Sequence, residues 1–273
     1  MSHTQSRLLQ TMNLSERPQR PNALRAVSTF VWRSWRKTLG KLHYLAIDSI
    51  IFPAIFLLIF TYLFGGAISG STGNYLQFLL PGMMVYTVTT MTVYIGIGIK
   101  TDIERGVFNR FRTLPFWQPA AIIGTMAIHL ISFAAAVITT FGLGMLLGFR
   151  PEAGIIGVLL AFLLVMFYAF SLSWIFACIG IVVQKTESLT TMSYIVLYPL
   201  MFTSNVFADT STMPHWLGRI VTYNPVSLAS ATARGLMHGT TEISMLVTTI
   251  AGLGLIVMIF IPLTFRLYRQ KAH

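Results

Sequence analysis

Residues 155–183, IIGVLLAFLLVMFYAFSLSWIFACIGIVV, contain no charged side chain and decide the fold. A run this long and this apolar has no place in a water-soluble core of ordinary size. It reads as a helix whose solvent is lipid. Working outward, five further runs share the pattern, at residues 44–64, 77–99, 119–148, 188–207 and 243–265. Each reaches the ~20 residues a bilayer crossing needs, and the runs at 119–148 and 155–183 are long enough to tilt or protrude. Composition agrees: 55% of the chain is hydrophobic and 10% is charged, against about a quarter charged in ordinary globular domains. The expected fold is therefore all-α, a polytopic membrane protein with six transmembrane helices in one bundle spanning 44–273.

The net charge of +11 does not point to nucleic acid, because the basic residues flank the apolar runs and form no basic face with interleaved aromatics. With a cytoplasmic N-terminus, eight Lys/Arg precede the first run, four lie between the second and third, one lies between the fourth and fifth, and three follow the last. Only Arg150, Arg219 and Arg234 fall outside. The positive-inside rule then places both termini in the cytoplasm. Residues 1–22 read as a polar cytoplasmic tail without the hydrophobic segment and cleavage site of a secretory signal. The single Cys178 lies in an apolar run and reads as a small core hydrophobe.

Residues 23–43 form a second pattern. Leu24, Val27, Val31, Trp35 and Leu42 fall on one side of a helix, and Arg25, Arg33, Arg36, Lys37 and Lys41 on the other, with Phe30 out of register. Such a basic amphipathic helix suits the membrane interface, its cations toward anionic headgroups. Residues 208–241 are too polar for a span, yet Trp216, Leu217, Ile220, Val221, Val226 and Leu228 are too apolar for a solvated loop. With Pro214 and Pro225 dividing the segment, a short outer pair of helices dipping into the membrane is expected, its freed backbone groups buried in protein.

The chain offers little for catalysis. Its six histidines are scattered, with no metal-ligand spacing. His129 lies within the third run and reads as an interhelical hydrogen bonder. Asp48, near the inner end of the first run, reads as an interface anchor. No GxxxxGK[ST] loop exists, so if ATP drives this protein, the nucleotide binds another chain. The richest signal is IERGVFNRFRTLPFWQP, residues 103–119. Val107, Phe108, Phe111 and Leu114 form an apolar stripe among Asp102, Glu104, Arg105, Arg110 and Arg112, and Pro115 ends it. A helix of this kind outside the lipid needs a partner for its apolar side.

At this point the chain resembles the type 2 exporter permeases of ATP-binding-cassette transporters, most closely the drug-resistance, daunorubicin-exporter-like subgroup. The match rests on YLQFLLPGMMVY (75–86), ERGVFNRFRTLP (104–115) and PLMFTSNVFADTSTMPHWLGRIVTYNPVSLASATARGL (199–236). Ser204 and Asn205 depart from the small residue and glycine often found after the fifth span. The resemblance implies a six-span permease, not itself an enzyme, preceded by an amphipathic connecting helix to which Arg33, Trp35, Arg36, Lys37 and Lys41 belong. It implies a coupling helix (Glu104, Arg105, Gly106, Phe108, Arg110, Phe111, Arg112, Leu114, Pro115) that enters a cleft on a separate ATPase subunit, present in two copies. ATP and Mg would bind there, and this chain would bind no cofactor. A second permease chain would complete the path, whose lining is assigned to Met83, Met84, Tyr86, Tyr198, Met201 and Phe202, with plain helix packing the equal alternative for each. The cargo would be an amphiphilic drug, lipid or cell-envelope compound leaving across a bacterial plasma membrane. Two other classes would carry other marks: a proton-coupled secondary carrier, inverted repeats and intramembrane ionisable pairs, and a membrane-embedded enzyme acting on lipids, His, Asp or Glu clustered at one membrane face.

Overall fold

A computed structural model of the chain describes residues 32, 36, 47–105 and 120–271. Among these residues every regular element is helical, as charge-free apolar runs in lipid require. We number the helices α1 (Ser49–Ser69), α2 (Thr72–Glu104), α3 (Ala120–Leu146), α4 (Gly154–Val182), α5 (Thr186–Phe202), α6 (His215–Tyr223), α7 (Pro225–His238) and α8 (Ile243–Lys271). Five of them (α1, α2, α3, α4 and α8) are long and apolar enough to cross a membrane.

Local chemistry sets several of the ends. Gly70 (φ 72°) and Gly239 (φ 73°) close α1 and α7 in the left-handed conformation that glycine adopts without strain. Ser71 opens α2, its Oγ accepting the Asn74 N–H at 3.2 Å. The run expected to cross fifth is helical for only 17 residues, which at 1.5 Å per residue is about 25 Å. It ends because Thr203–Asp209 turn away, and one side chain makes that ending possible. Asn224 Nδ2 donates to the carbonyls of Leu200 (2.7 Å) and Thr203 (2.8 Å), while Asn224 Oδ1 accepts the Val226 N–H at 2.9 Å. The same amide thus closes the C-terminus of α5 and caps the N-terminus of α7. Pro225, directly after the cap, occupies the first helical position, where a missing N–H costs nothing.

The helix α2 is the hub. It packs on α3, α4, α5 and α7, and residues all around it are buried. Its crossing with α4 is made by backbone: a Cβ on Gly180 would stand 2.5 Å from the Gly96 carbonyl oxygen, and one on Gly96 2.6 Å from the Phe176 oxygen. About two turns earlier on α2 the same pair shares a hydrogen bond between Thr89 Oγ1 and Tyr168 Oη (2.7 Å). Small residues at the crossing let two lipid-soluble helices gain dispersion contact without a hydrophobic driving force between them. The helix α8 lies on α4, where Trp174 meets Phe265 edge to face at 5.7 Å, and on α7, where Thr232 and Thr249 share a 2.8 Å hydrogen bond. The α6–α7 pair is the outer helical segment expected between the last two runs, and α7 is seated on α2, α4 and α8.

Candidate functional site

Pro81 lies inside α2. Having no N–H, it leaves the Gln77 carbonyl without its helical donor. That group lies in the bundle and must find another partner. His238, at the end of α7, supplies it: Nε2 stands 3.2 Å from the Gln77 oxygen, and a carbonyl only accepts, so the proton is on Nε2. One residue on, Arg234 Nε donates to the Phe78 carbonyl at 2.8 Å and Nη2 to the Asn205 carbonyl at 3.3 Å. Its guanidinium lies 3.6 Å from the centre of the Phe78 ring, a cation–π contact strengthened by partial burial. Burial lowers Arg234 to about 10, partly offset by the nearby Asp209 carboxylate, so it is cationic at neutral pH. Asp209 in turn is held below the usual carboxylate range, first by the Ser211 N–H (2.8 Å) and also by Arg234.

The rest of the first motif docks beside this seat. Tyr75 Oη donates to the Phe207 carbonyl at 2.8 Å. The Gln77 amide donates to the Gly148 carbonyl at 3.2 Å and accepts from the Arg150 N–H at 3.1 Å. Gly82 admits the Val206 backbone, whose oxygen would stand 3.1 Å from a Cβ there. The stretches 75–86 and 199–236 are therefore two halves of one seat. Tyr75, Gln77 and His238 were given no role from sequence, and Asn205 and Asn224 were noted only as parts of the third stretch. Pro81 was the signal for His238, since it demands a donor from elsewhere in the chain.

The proposed path residues divide. Met83, Met84 and Met201 are buried inside the bundle, the first two because α2 is its hub. Tyr86 is half-buried in an aromatic cluster, 5.5 Å from both Phe56 and Phe207, with Phe60 stacked on Phe207 at 4.5 Å. Tyr198 and Phe202 are 51% and 78% exposed. With Tyr194 they form a ladder of rings along α5, at 5.2 and 6.1 Å. Tyr194 in the ladder and Phe207 in the Tyr86 cluster were not named from sequence.

Of the coupling residues, Glu104 and Arg105 end α2, whereas Gly106, Phe108, Arg110, Phe111, Arg112, Leu114 and Pro115 lie outside the described residues. Both Glu104 carboxylate oxygens accept from Thr186, at 3.2 Å from its N–H and 2.8 Å from its hydroxyl, and Lys100 Nζ stands 3.6 Å away. Of the interface helix, Arg36 is described, with its guanidinium 4.9 Å from the centre of the Trp32 ring. Arg33, Trp35, Lys37 and Lys41 lie outside, as does the Asp48 side chain. His129 is half-buried on α3, 6.2 Å from the Phe133 ring.

Comparison with known proteins gives this arrangement its family. The sequence profile of the ABC-2 type transporters matches residues 25–238. A daunorubicin resistance ABC transporter permease protein, DrrB1 of Streptomyces coeruleorubidus, is 47% identical over 96% of this chain and 93% of its own length. A probable doxorubicin resistance ABC transporter permease protein, DrrC of Mycobacterium tuberculosis, is 21% identical over 83% of each chain. A putative transport permease, ycf38 of Cyanophora paradoxa, is 27% identical over 66% of this chain. The matched region takes in both halves of the seat, the end of α2 and the ring ladder of α5, and with it the chain belongs to the ABC-2 type transporter family as a membrane-spanning permease.

Proposed function

We propose that this permease exports an amphiphilic, aromatic-bearing compound across a bacterial plasma membrane, driven by a separate ABC ATPase in two copies and completed by a second permease chain. Both termini are cytoplasmic in this reading, and the loop after Glu104 docks in the ATPase. The observation that carries it is the ladder of Tyr194, Tyr198 and Phe202 standing open on α5, on the helix next to α2 and its Tyr86 cluster. Stacked rings offer a planar cargo broad contact without a fixed hydrogen-bond pattern. The relatives' names, daunorubicin and doxorubicin resistance permeases, support a cargo of that class, and the missing nucleotide loop supports a separate motor.

The test is reconstitution with the ATPase encoded nearest to it, followed by ATP-dependent uptake of doxorubicin into inverted vesicles. Tyr198→Ala with Phe202→Ala should lower kcat/KM for uptake about tenfold, the equivalent of losing about 1.4 kcal/mol of contact, with ATPase association intact. Uptake at the wild-type rate would show that cargo travels elsewhere.

The docking loop gives a separate prediction. Phe108→Ala with Phe111→Ala should leave the permease folded, since both lie outside the apolar runs, and should cost on the order of 2 kcal/mol in ATPase binding for each true anchor. Co-purification of the double variant with undiminished ATPase would move the docking surface to the loop around Lys185 and Glu187.

A further inference from the structure

The first backbone N–H groups of a helix have no partner within it and are normally satisfied by a capping side chain just before it. At α5 that position is Lys185, which carries no acceptor, and no local side chain caps this end. The acceptor comes instead from another helix. Glu104, the last residue of α2, takes the Thr186 N–H on one oxygen and the Thr186 hydroxyl on the other. Lys100, one turn back on α2 and only 4% exposed, fixes the same carboxylate from behind. The negative charge also sits where the dipole of α5 favours it. An exposed ion pair adds little to stability. What a two-pronged, charge-assisted bond does provide is geometry, one fixed relation between two helix ends.

We infer that Glu104 is a positioning residue that fastens the inner end of α5 to the inner end of α2, so that a displacement entering at Arg105 reaches α5 directly. Arg105 is the residue at which the chain leaves α2 for the loop, and α5 carries the exposed rings. The inference rests on the proposed reading of an ATP-driven permease. It adds that the first residue of the loop motif acts within the permease through Thr186, instead of on the partner.

The test uses Thr186→Val, which removes the hydroxyl at nearly constant volume, Thr186→Ser, which restores it, and Glu104→Ala. In vesicles with the ATPase, Thr186→Val should leave basal ATP hydrolysis unchanged and lower doxorubicin moved per ATP at least fivefold. Thr186→Ser should regain most of that ratio. Glu104→Ala should show at least the same loss, and adding Thr186→Val to it should make matters no worse. A wild-type ratio in both single variants would overturn the inference. So would a Glu104→Ala chain that no longer binds the ATPase beside a Thr186→Val chain that couples normally, because Glu104 would then serve the partner. If the wild type moves no doxorubicin with ATP, the export reading fails, and the fastening is judged on the permease alone. There, amide hydrogen exchange at the start of α5 should quicken about tenfold in Glu104→Ala, and unchanged exchange would refute it.

Discussion

Gly180→Leu is expected to prevent the bundle from closing. At this crossing the neighbour of any new Cβ is the Gly96 carbonyl, at 2.5 Å, and backbone cannot rotate aside as a side chain can. The two helices would have to part along their length, giving up the contacts that hold them in lipid. Overpacking a core commonly costs 1–3 kcal/mol where side chains can yield. Here the leucine should cost more than ~3 kcal/mol, beyond that range because backbone faces backbone. Gly180→Ala should show a smaller loss of the same kind. Folded yield by gel filtration in detergent and thermal unfolding will measure it. A leucine variant that purifies and melts like the wild type would mean that α2 and α4 do not cross here.

The second large effect is expected at Arg234. Arg234→Met keeps the length of the side chain and removes its donors, leaving the Phe78 and Asn205 carbonyls without them and the Phe78 ring without its cation. At ~1.5 kcal/mol for each hydrogen bond from a charged donor, the loss should be about 3 kcal/mol, read as a lower melting temperature. Arg234→Lys should recover only part of it, because an ammonium is a point donor and cannot both span two carbonyls and lie flat on a ring. Arg219→Met is the control, being exposed on α6, and should stay within about 0.5 kcal/mol of wild type. Equal melting of the Arg234→Met and Arg219→Met chains would remove Arg234 from the seat.

Much of the architecture was legible because lipid imposes a one-dimensional rule: length and absence of charge. That rule located the apolar runs without any knowledge of their neighbours. It could not place the end of α5, since Pro199 is tolerated within a helix and the deciding residue, Asn224, lies 24 positions beyond Leu200. Nor could it separate the buried Met83 and Met84 from the half-buried Tyr86. Periodicity reveals a buried face only when another face is polar, and α2 has no polar face. Glu104 was assigned to the coupling segment from the company it keeps in the sequence. Its direction was not, because a charge in a loop motif says nothing about whether its partner is another protein or the next helix of the same chain. The seat was half legible: the two motifs were visible separately, and the contacts that join them, Tyr75 to Phe207, Arg234 to Phe78 and Gly82 to Val206, were not.

The carbonyl that Pro81 leaves unpaired also bears on how the chain is made. Gln77 lies on α2, yet its donor, His238, follows 161 positions later. Until the ribosome has delivered the end of α7, that carbonyl must borrow a hydrogen bond from water or from the insertion machinery. The helix is thus threaded early and completed nearly last, and a chain halted before residue 238 carries a carbonyl on α2 that its own sequence has not yet supplied with a donor.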